Sequence, residues 1–299
     1  MRRTLRWLSA LCLALACWAA GPSNDFRFAI LGDRTGGARP EIYAAAWNEI
    51  DRFQPAFVIN AGDTIQGVND ETAEAQWDEI RGLLDRYSKY PFYLVPGNHD
   101  IWSSYSQKLF ERETGRPATY SFNYQNAHFV VLDNSRSLDL SPDQLRFLEE
   151  DLKKNRARDP KFVFFHQPFW LVYVKFKSGA FPLHRLAKEY GVDYVISGHG
   201  HQFVRLAQDG ITYMEVGSSG ANIGEVWKQD DAFAKGLFYH YVQVQVKGAR
   251  AQMTVKELDS PFGKGRKFSA EDWGEDGLKP LLKNLMGKSG DLPRVAASR

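Results

Sequence analysis

The chain has 299 residues, of which 43% are hydrophobic and 14% aromatic, so it has enough apolar material to bury a core without disulfide bonds and disorder is not expected. Its 38 basic and 36 acidic residues give a formal charge of +2, and no cluster of positive charge stands out before the C-terminal tail. Nucleic-acid binding requires such a cluster, so no nucleic-acid partner is expected.

Residues 1–20 have the layout of a secretory signal peptide. Three arginines, at positions 2, 3 and 6, precede an apolar run from Trp7 to Ala20 that is shorter than the ~20 residues a membrane span needs. Cleavage would remove Cys12 and Cys17, the only cysteines, so the mature chain would contain no thiol, no disulfide and no transmembrane segment. We expect a protein that is exported to the periplasm or secreted. A short membrane anchor, or a lipid anchor at the poorly matching Ala14-Leu15-Ala16-Cys17, is the alternative.

From Phe26 onward, short apolar runs alternate with amphipathic stretches, which predicts strands alternating with helices. The predicted strands are Phe26 to Leu31, Ala56 to Asn60, Phe92 to Val95, Lys161 to Phe165 and Asp193 to Ile196. Apolar residues at helical spacing predict helices through Ile42 to Phe53, Trp77 to Tyr87 and Leu145 to Leu152. The third helix has its own start signal, because Ser141 can cap it, Pro142 suits its first turn and Gln144 completes a capping box.

Alternation with a period of two predicts hairpins at three places. The predicted hairpins are Ser121 to Tyr124 with His128 to Leu132, Phe203 to Leu206 with Ile211 to Val216, and the alternating valines Val242 to Val246 before Lys247-Gly248. No repeat and no linker interrupts residues 25–258, so we predict one domain there, followed by a partly ordered tail at residues 259–299 that is rich in Gly, Lys, Asp and Ser.

Every predicted strand of the α/β part ends in a side chain that can bind a metal. These residues are Asp33, Asp63, Asn98, His99, Asp100, His166, His199 and His201. In an open α/β sheet, groups at the carboxyl ends of the strands converge, and imidazole with carboxylate suits divalent Mn, Fe or Zn. Taken singly, a Gly-Asp after a strand is most often a turn and a lone His is most often a packed side chain. The ordered combination favours a metal site.

The series Gly32-Asp33, Gly62-Asp63, Gly97-Asn98-His99-Asp100, His166 and Gly198-His199-Gly200-His201 resembles the motifs of the calcineurin-like metallophosphoesterase family, to which the purple acid phosphatases are related. The resemblance covers residues 32–201, and its third and fifth motifs are highly specific. It implies an α/β fold that is a four-layer α/β/β/α sandwich with two central mixed sheets. It also implies a metal-dependent phosphatase or phosphodiesterase with two divalent ions, of Mn, Fe or Zn.

Residue by residue, the resemblance implies that Asp33 and His201 hold the first ion and that Asp63 bridges both. The second ion would be held by Asn98, His166 and His199. A hydroxide bridging the ions would attack a small phosphomonoester or phosphodiester in line.

Further roles are expected for four residues around this centre. His99 and Asp100 are the catalytic candidates: His99, held beside Asp100, would stabilise the transition state or protonate the leaving oxygen. Arg34, together with Asn98, is a candidate for binding the phosphate, since a guanidinium favours phosphate; the alternative for Arg34 is an exposed side chain beside a flexible turn. Two segments, Trp102 to Pro117 and Phe169 to Phe181, are predicted to be loops that set substrate specificity. Their aromatic residues either line the substrate pocket or are ordinary packing.

The sequence departs from the family pattern near the first ion. Thr35 stands where the family usually has a histidine, and Gln66 stands where purple acid phosphatases have a tyrosine. The alternative function is therefore an exported phosphate- or metal-binding protein of the same fold with an impaired first site. A serine hydrolase is less well supported, because Gly217-Ser218-Ser219-Gly220 lacks the spacing of a nucleophile elbow. The remaining histidines away from strand ends are predicted to be structural: His128, His184 and His240.

Overall fold

The computed structural model describes residues 24–223, 232–260 and 263–273, so the predicted signal peptide lies outside the described residues. Within these ranges the strands are β1 (Asp25–Leu31), β2 (Val58–Asn60), β3 (Phe92–Leu94), β4 (Tyr120–Tyr124), β5 (Ala127–Val131), β6 (Lys161–Phe164), β7 (Tyr194–Ser197), β8 (Phe203–Gln208), β9 (Ile211–Val216), β10 (His240–Lys247), β11 (Arg250–Glu257), β12 (Asp259–Ser260), β13 (Gly263–Lys264) and β14 (Lys267–Ser269). The helices are α1 (Pro40–Phe53), α2 (Asp70–Leu84), α3 (Ser104–Thr114), α4 (Pro142–Lys154), α5 (Trp170–Lys175) and α6 (Pro182–Tyr190), with single 3-10 turns at Asp85–Tyr87 and Ala270–Trp273.

Two six-stranded mixed sheets form the centre of the molecule. Sheet I has the order β14-β11-β10-β1-β2-β3, in which β1, β2 and β3 are parallel. Sheet II has the order β4-β5-β6-β7-β9-β8, in which β5, β6, β7 and β9 are parallel. Because parallel strands end at the same edge of a sheet, the segments that follow β1, β2 and β3 are neighbours, as are those that follow β6, β7 and β9.

An aromatic layer joins the two sheets. Phe28 of β1 stacks on Phe57 with ring centroids 5.0 Å apart, and meets Phe129 and Phe162 of sheet II edge-on at 5.3 Å each. All four rings are fully buried. Truncating a ring of this kind to alanine typically costs about 3–5 kcal/mol, so the layer fixes how the sheets lie on each other.

Helices cover the outer face of each sheet. Apolar side chains of α1, α2 and α3, among them Trp47, Trp77 and Phe110, pack on sheet I. Those of α4, α5 and α6, among them Leu152 and Trp170, pack on sheet II. The predicted four-layer α/β/β/α sandwich is therefore confirmed. Of the described helices, none has the length and apolar character needed to cross a membrane.

Three helices were not predicted, and two of them lie where loops were expected. In α3, Ser103 caps the first turn by accepting from the N–H of Ser106 at 3.1 Å, and Leu109 and Phe110 are buried. With few apolar residues, α3 shows little helical periodicity in the sequence. The Phe169 to Phe181 segment likewise contains α5, and α6 begins directly after it.

Part of the predicted C-terminal tail packs against the domain. Strand β14 pairs with β11, and Ala270 and Trp273 are buried in the layer between the sheets. The rest of the predicted tail, residues 274–299, lies outside the described residues. The domain boundary at residue 258 stays a prediction.

Candidate metal centre

Asp33 is held rigidly where β1 ends. The N–H of Gly32 donates to Ser219 Oγ at 2.8 Å, and the Asp33 carbonyl accepts from the N–H groups of Ser219 and Ala221. The Asp33 side chain is fully buried, and its Oδ2 accepts from the N–H of His199 at 2.9 Å. Its Oδ1 has no hydrogen-bond partner among the described atoms. A buried, unpartnered carboxylate oxygen is costly unless a proton or a cation compensates it.

Asp63 lies in the turn after β2, with a left-handed φ of 56°. Its Oδ1 accepts from the backbone N–H of His99 at 2.9 Å, and its Oδ2 lies 3.1 Å from Nε2 of His166. Gly97 passes so close that a Cβ there would lie 2.1 Å from Asp63 Oδ1. The turn therefore places the Asp63 carboxylate between sheet I and sheet II.

Asn98, His166 and His199 meet at one point. Asn98 Oδ1 lies 3.2 Å from His166 Nε2 and 2.9 Å from His199 Nδ1, and these two nitrogens are 3.3 Å apart. His166 Nδ1 donates to the carbonyl of Ala61 at 3.0 Å, which leaves Nε2 as the nitrogen that faces the cluster. Three potential ligands from β3, β6 and β7 thus converge.

His201 reaches the same region from the other side. Its Nε2 lies 3.5 Å from Asp33 Oδ2, and its Nδ1 donates to the carbonyl of Asn222 at 2.8 Å. Potential ligand atoms form two groups, and within each group the atoms lie within 4.8 Å of one another. One group is Asp63, His166 and His199, and the other is Asp33, Asp63 and His201. Asp63 belongs to both groups.

The charges at this centre are suited to a bound cation. Burial raises the pKa of Asp33 well above its usual value, and the His166 imidazolium only partly opposes this. Burial disfavours protonation of His166, but Asp63 and Asp33 outweigh it and raise its pKa to about 10. Burial and the neighbouring His166 lower the pKa of His199 to about 4. A divalent cation can take the place of the proton that these buried carboxylates share with His166. Carboxylate, amide and imidazole groups are ligands that such cations bind. The residues therefore fit a divalent metal.

The ring of His99 lies beside these groups and belongs to neither of them. Its Nδ1 lies 2.5 Å from the carbonyl oxygen of Gln66, which makes Nδ1 the donor nitrogen of the ring. The second nitrogen, Nε2, takes no part in this contact.

Asp100 makes different contacts from those expected. Its Oδ1 accepts from the N–H groups of Thr64 and Ile65, at 2.8 and 3.2 Å, and its Oδ2 accepts from the N–H of Gly97 at 2.9 Å. Burial, and then the charge of Asp63, raise the pKa of Asp100 to about 7. The carboxyl group therefore fastens the turn after β2 to the turn after β3, and its hydrogen bonds in the described structure go to backbone amides rather than to the His99 ring.

Arg34 is buried away from the position expected of it. Its guanidinium donates to the carbonyl of Thr64 at 3.1 Å and to Glu79 at 2.5 Å, and it lies over the ring of Tyr43. Glu79 belongs to α2, so Arg34 ties the first ligand turn to a helix. Among the described contacts of its guanidinium, none is with the ligand groups.

Sequence reasoning missed the residues that hold the ligand turns in place. They are Asn60, Ala61, Ser219 and Asn222. Asn60 donates to the carbonyl of Gly32 and accepts from the N–H of Gly62, which joins the first two ligand turns. A signal for Ser219 was available, because it follows β9 just as the ligands follow their own strands.

The two serines considered as nucleophiles are buried and already bonded. Ser218 Oγ donates to the carbonyl of Ala221 at 2.8 Å, and Ser219 Oγ donates to the carbonyl of His240 at 2.7 Å. A hydroxyl that donates its proton to a backbone carbonyl is not activated for attack by a base. The geometry therefore argues against a serine hydrolase.

The three other histidines have the contacts of structural residues. His128 lies between Asn123 and Asp151, and His184 lies between Tyr213 and Asp209. The third histidine, at position 240, is fully buried and donates to a backbone carbonyl.

Comparison with known proteins gives one family. The family model of the calcineurin-like phosphoesterases matches residues 26–203. Purple acid phosphatase 15 of Arabidopsis thaliana is 31% identical over 154 residues, a match that covers 45% of this chain and 29% of that protein. Purple acid phosphatase 13 of the same plant is 30% identical over 189 residues, or 54% of this chain and 35% of that protein. The chain thus matches only about a third of the length of these curated relatives.

Solved structures agree on the fold. A purple acid phosphatase from yellow lupin, Lupinus luteus, has a TM-score of 0.63 at 16% identity, covering 83% of this chain and 53% of that chain. GAP50, the anchor in the inner membrane complex of Plasmodium, has a TM-score of 0.57 at 17% identity, covering 91% of this chain and 98% of that chain. At such low identity these neighbours establish the sandwich fold alone.

Proposed function

Because the chain belongs to the calcineurin-like phosphoesterase family, we propose that it is a metal-dependent hydrolase of small phosphate esters. The observation that supports this proposal is the pair of ligand groups that share Asp63, at the edge where the parallel strands of both sheets end. Two cations ~3.5–4 Å apart need a shared oxygen ligand, and Asp63 is the residue common to both groups.

We assign the first ion to Asp33, Asp63 and His201. The second ion is assigned to Asp63, Asn98, His166 and His199. Mn, Fe and Zn suit this donor set of imidazole, amide and carboxylate. When bound, such ions supply an activated water and neutralise charge on the phosphoryl oxygens of a monoester or diester.

The protein's own groups then complete the chemistry. His99 Nδ1 donates to the Gln66 carbonyl, so the imidazolium form of His99 would give its Nε2 proton to the leaving ester oxygen and be left as the neutral ring protonated at Nδ1. The backbone of His99 is fixed by its N–H bond to Asp63, which keeps the imidazole beside the ligand groups. The side-chain amide nitrogen of Asn98 is the donor that we assign to a phosphoryl oxygen, since its Oδ1 faces the imidazoles.

Two roles expected from the sequence change. Arg34 is no longer proposed to bind phosphate, because its guanidinium is committed to Thr64 and Glu79. Asp100 is proposed as a positioning residue, because its oxygens bind backbone amides. Both residues hold the turns that present the ligands.

Ester hydrolysis with and without metal tests the function. Purified protein is treated with a chelator, reconstituted with Mn²⁺ or Zn²⁺, and assayed with para-nitrophenyl phosphate and its bis-ester, while bound metal is measured by emission spectrometry. We expect hydrolysis that the chelator abolishes and added metal restores. Turnover that is unaffected by complete removal of metal would contradict the proposal.

One observation favours a second candidate. Thr35 donates its hydroxyl to Gln66 and offers no nitrogen donor to the first group, so an exported phosphate- or metal-binding protein of the same fold is the alternative. Metal-loaded protein that binds phosphate but turns over neither ester would support it.

We also propose that residues 1–20 are removed during export to the periplasm or the exterior. The charged and then apolar pattern of this segment supports the proposal. Sequencing the N-terminus of the mature protein from fractionated cells tests it, and an intact leader on cytoplasmic protein would contradict it.

A further inference from the structure

Gln66 lies between the first ligand turn and His99, and it contacts both. Its Oε1 accepts from Thr35 Oγ1 at 2.6 Å and is approached by the N–H groups of Gly36 and Gly37 at 3.3 and 3.4 Å. Its backbone carbonyl accepts from His99 Nδ1 at 2.5 Å. One residue thus binds the turn at residues 35–37 through its side-chain oxygen and binds the imidazole through its main-chain carbonyl. Its side-chain nitrogen also lies 3.4 Å from His99 Nδ1.

The chain next to Gln66 is pressed against His99 as well. Gly67 has a φ of 58°, and a Cβ at this position would lie 1.7 Å from the carbonyl oxygen of His99. The N–H of Gly67 donates to Gln76 Oε1 at 2.7 Å, which ties the segment to α2. The carbonyl of residue 66 is therefore fixed on its C-terminal side by close packing. On its N-terminal side, the N–H of Ile65 is bound by Asp100, and the Gln66 side chain adds a second anchor at Thr35.

We propose that Gln66 is a positioning residue of the hydrolytic site. Its side-chain acceptor anchors the segment to Thr35 and the glycine turn, and the anchored carbonyl orients the His99 ring with Nδ1 as donor. Nε2 is thereby kept as the nitrogen that exchanges a proton with the ester. The inference rests on the proposed function for the reaction, but the contacts between Gln66, Thr35 and His99 stand without it.

The two side chains form a matched pair. Positions 35 and 66 are the places where this chain departs from the family motifs, and the structure shows that the residues there bond to each other. Thr35 is fully buried, so its hydroxyl has little access to water, and the amide oxygen is its acceptor. Loss of either partner should therefore have the same consequence for His99.

Four variants of the full chain test this pair. Gln66→Met keeps the side-chain length and removes the acceptor, Thr35→Val removes the donor, Thr35→Ser keeps the donor, and a double variant combines the first two changes. We expect Gln66→Met and Thr35→Val each to lower kcat about ten- to a hundredfold, since displacement of a catalytic group by about 1 Å has effects of that size. KM should change by less than about threefold, and bound metal and Tm should stay near the wild-type values, because the substrate and metal ligands are intact.

The controls separate positioning from general damage. Thr35→Ser should retain most of the turnover. The double variant should be no slower than the slower single variant, because Gln66→Met and Thr35→Val both break the hydrogen bond between Thr35 and Gln66. Four results would each overturn the proposal. They are a wild-type kcat in Gln66→Met, a Thr35→Ser variant as slow as Thr35→Val, multiplicative losses of kcat in the double variant, and a loss of kcat explained by released metal.

A second measurement does not depend on turnover. The ring nitrogens of His99 are observed by nitrogen-15 NMR in the zinc-reconstituted protein, with His99→Ala used to assign the signals. Wild-type protein should show the tautomer protonated at Nδ1, and Gln66→Met should show a mixture of tautomers. An unchanged spectrum in Gln66→Met would overturn the positioning role. Wild-type protein that hydrolyses no ester but shows the expected spectra would remove the proposed function and leave the orientation of His99 by Gln66 intact.

Discussion

Replacement of Asp100 separates a positioning role from a catalytic one. In the structure its two oxygens accept from three backbone N–H groups, those of Thr64, Ile65 and Gly97. A buried donor left without a partner costs about 1–3 kcal/mol, so Asp100→Ala, which leaves all three donors without an acceptor, should lower the free energy of unfolding by about 3–9 kcal/mol. Asp100→Asn keeps one oxygen and turns its amide N–H towards one donor, so we expect a smaller loss of about 1–3 kcal/mol.

Urea unfolding of chelator-treated protein, followed by tryptophan fluorescence, measures these losses without the contribution of metal binding. Turnover of para-nitrophenyl phosphate by the reconstituted variants is measured in parallel. Because Asn keeps most of the hydrogen bonds to the backbone amides, Asp100→Asn should keep turnover within about tenfold of wild type. The loss of unfolding free energy should be larger for Asp100→Ala than for Asp100→Asn. An Asp100→Asn variant as stable as wild type, with turnover reduced by more than a hundredfold, would refute the positioning role and restore Asp100 as a partner of the His99 ring.

Three further predictions concern the reaction, the metal and pH. His99→Ala should keep its bound metal and lose about 10²- to 10⁴-fold in turnover, as measured by kinetics alongside metal analysis; unchanged turnover would remove His99 from the chemistry. Asp63→Ala should release metal, because it deletes the ligand common to both groups, and metal analysis showing wild-type content would contradict the shared assignment. Burial raises the pKa of Glu215 from 4.5 to about 8, so the folded protein binds a proton that the unfolded chain lacks, and stability should fall as pH rises through that window. Glu215→Gln cannot ionise, so its unfolding free energy in metal-free protein should fall less between pH 5 and pH 9; parallel curves for the two proteins would disprove this.

The general plan of the site could be predicted, because it depends on strand order and on strand ends. Gly-Asp, Gly-Asn-His and Gly-His-x-His motifs that follow buried strands are brought together by the geometry of parallel sheets. The structure places Asp33, Asp63, Asn98, His166 and His199 within one cluster for this reason.

The orientation of individual side chains could not be predicted. Arg34 turns away from the cluster because Glu79, on a helix 45 residues further along the chain, pairs with it. Asp100 turns to backbone amides that only the folded turns expose. These side-chain orientations depend on partners that are distant in sequence. Short helices are missed for another reason: α3 buries too few residues to give a periodic pattern in the sequence.

The proposed ligand side chains are divided between the two sheets, so metal binding would depend on the docking of one sheet on the other. Asp33, Asp63 and Asn98 follow strands of sheet I, whereas the histidines at 166, 199 and 201 follow strands of sheet II. Neither sheet alone holds all the proposed ligands, so a metal ion bound by both sets would be taken up after the sheets have docked and would stabilise their docking. A polypeptide that crosses a membrane unfolded would therefore acquire its ions from the compartment in which it folds, and the metal supply of that compartment would decide which ions it holds.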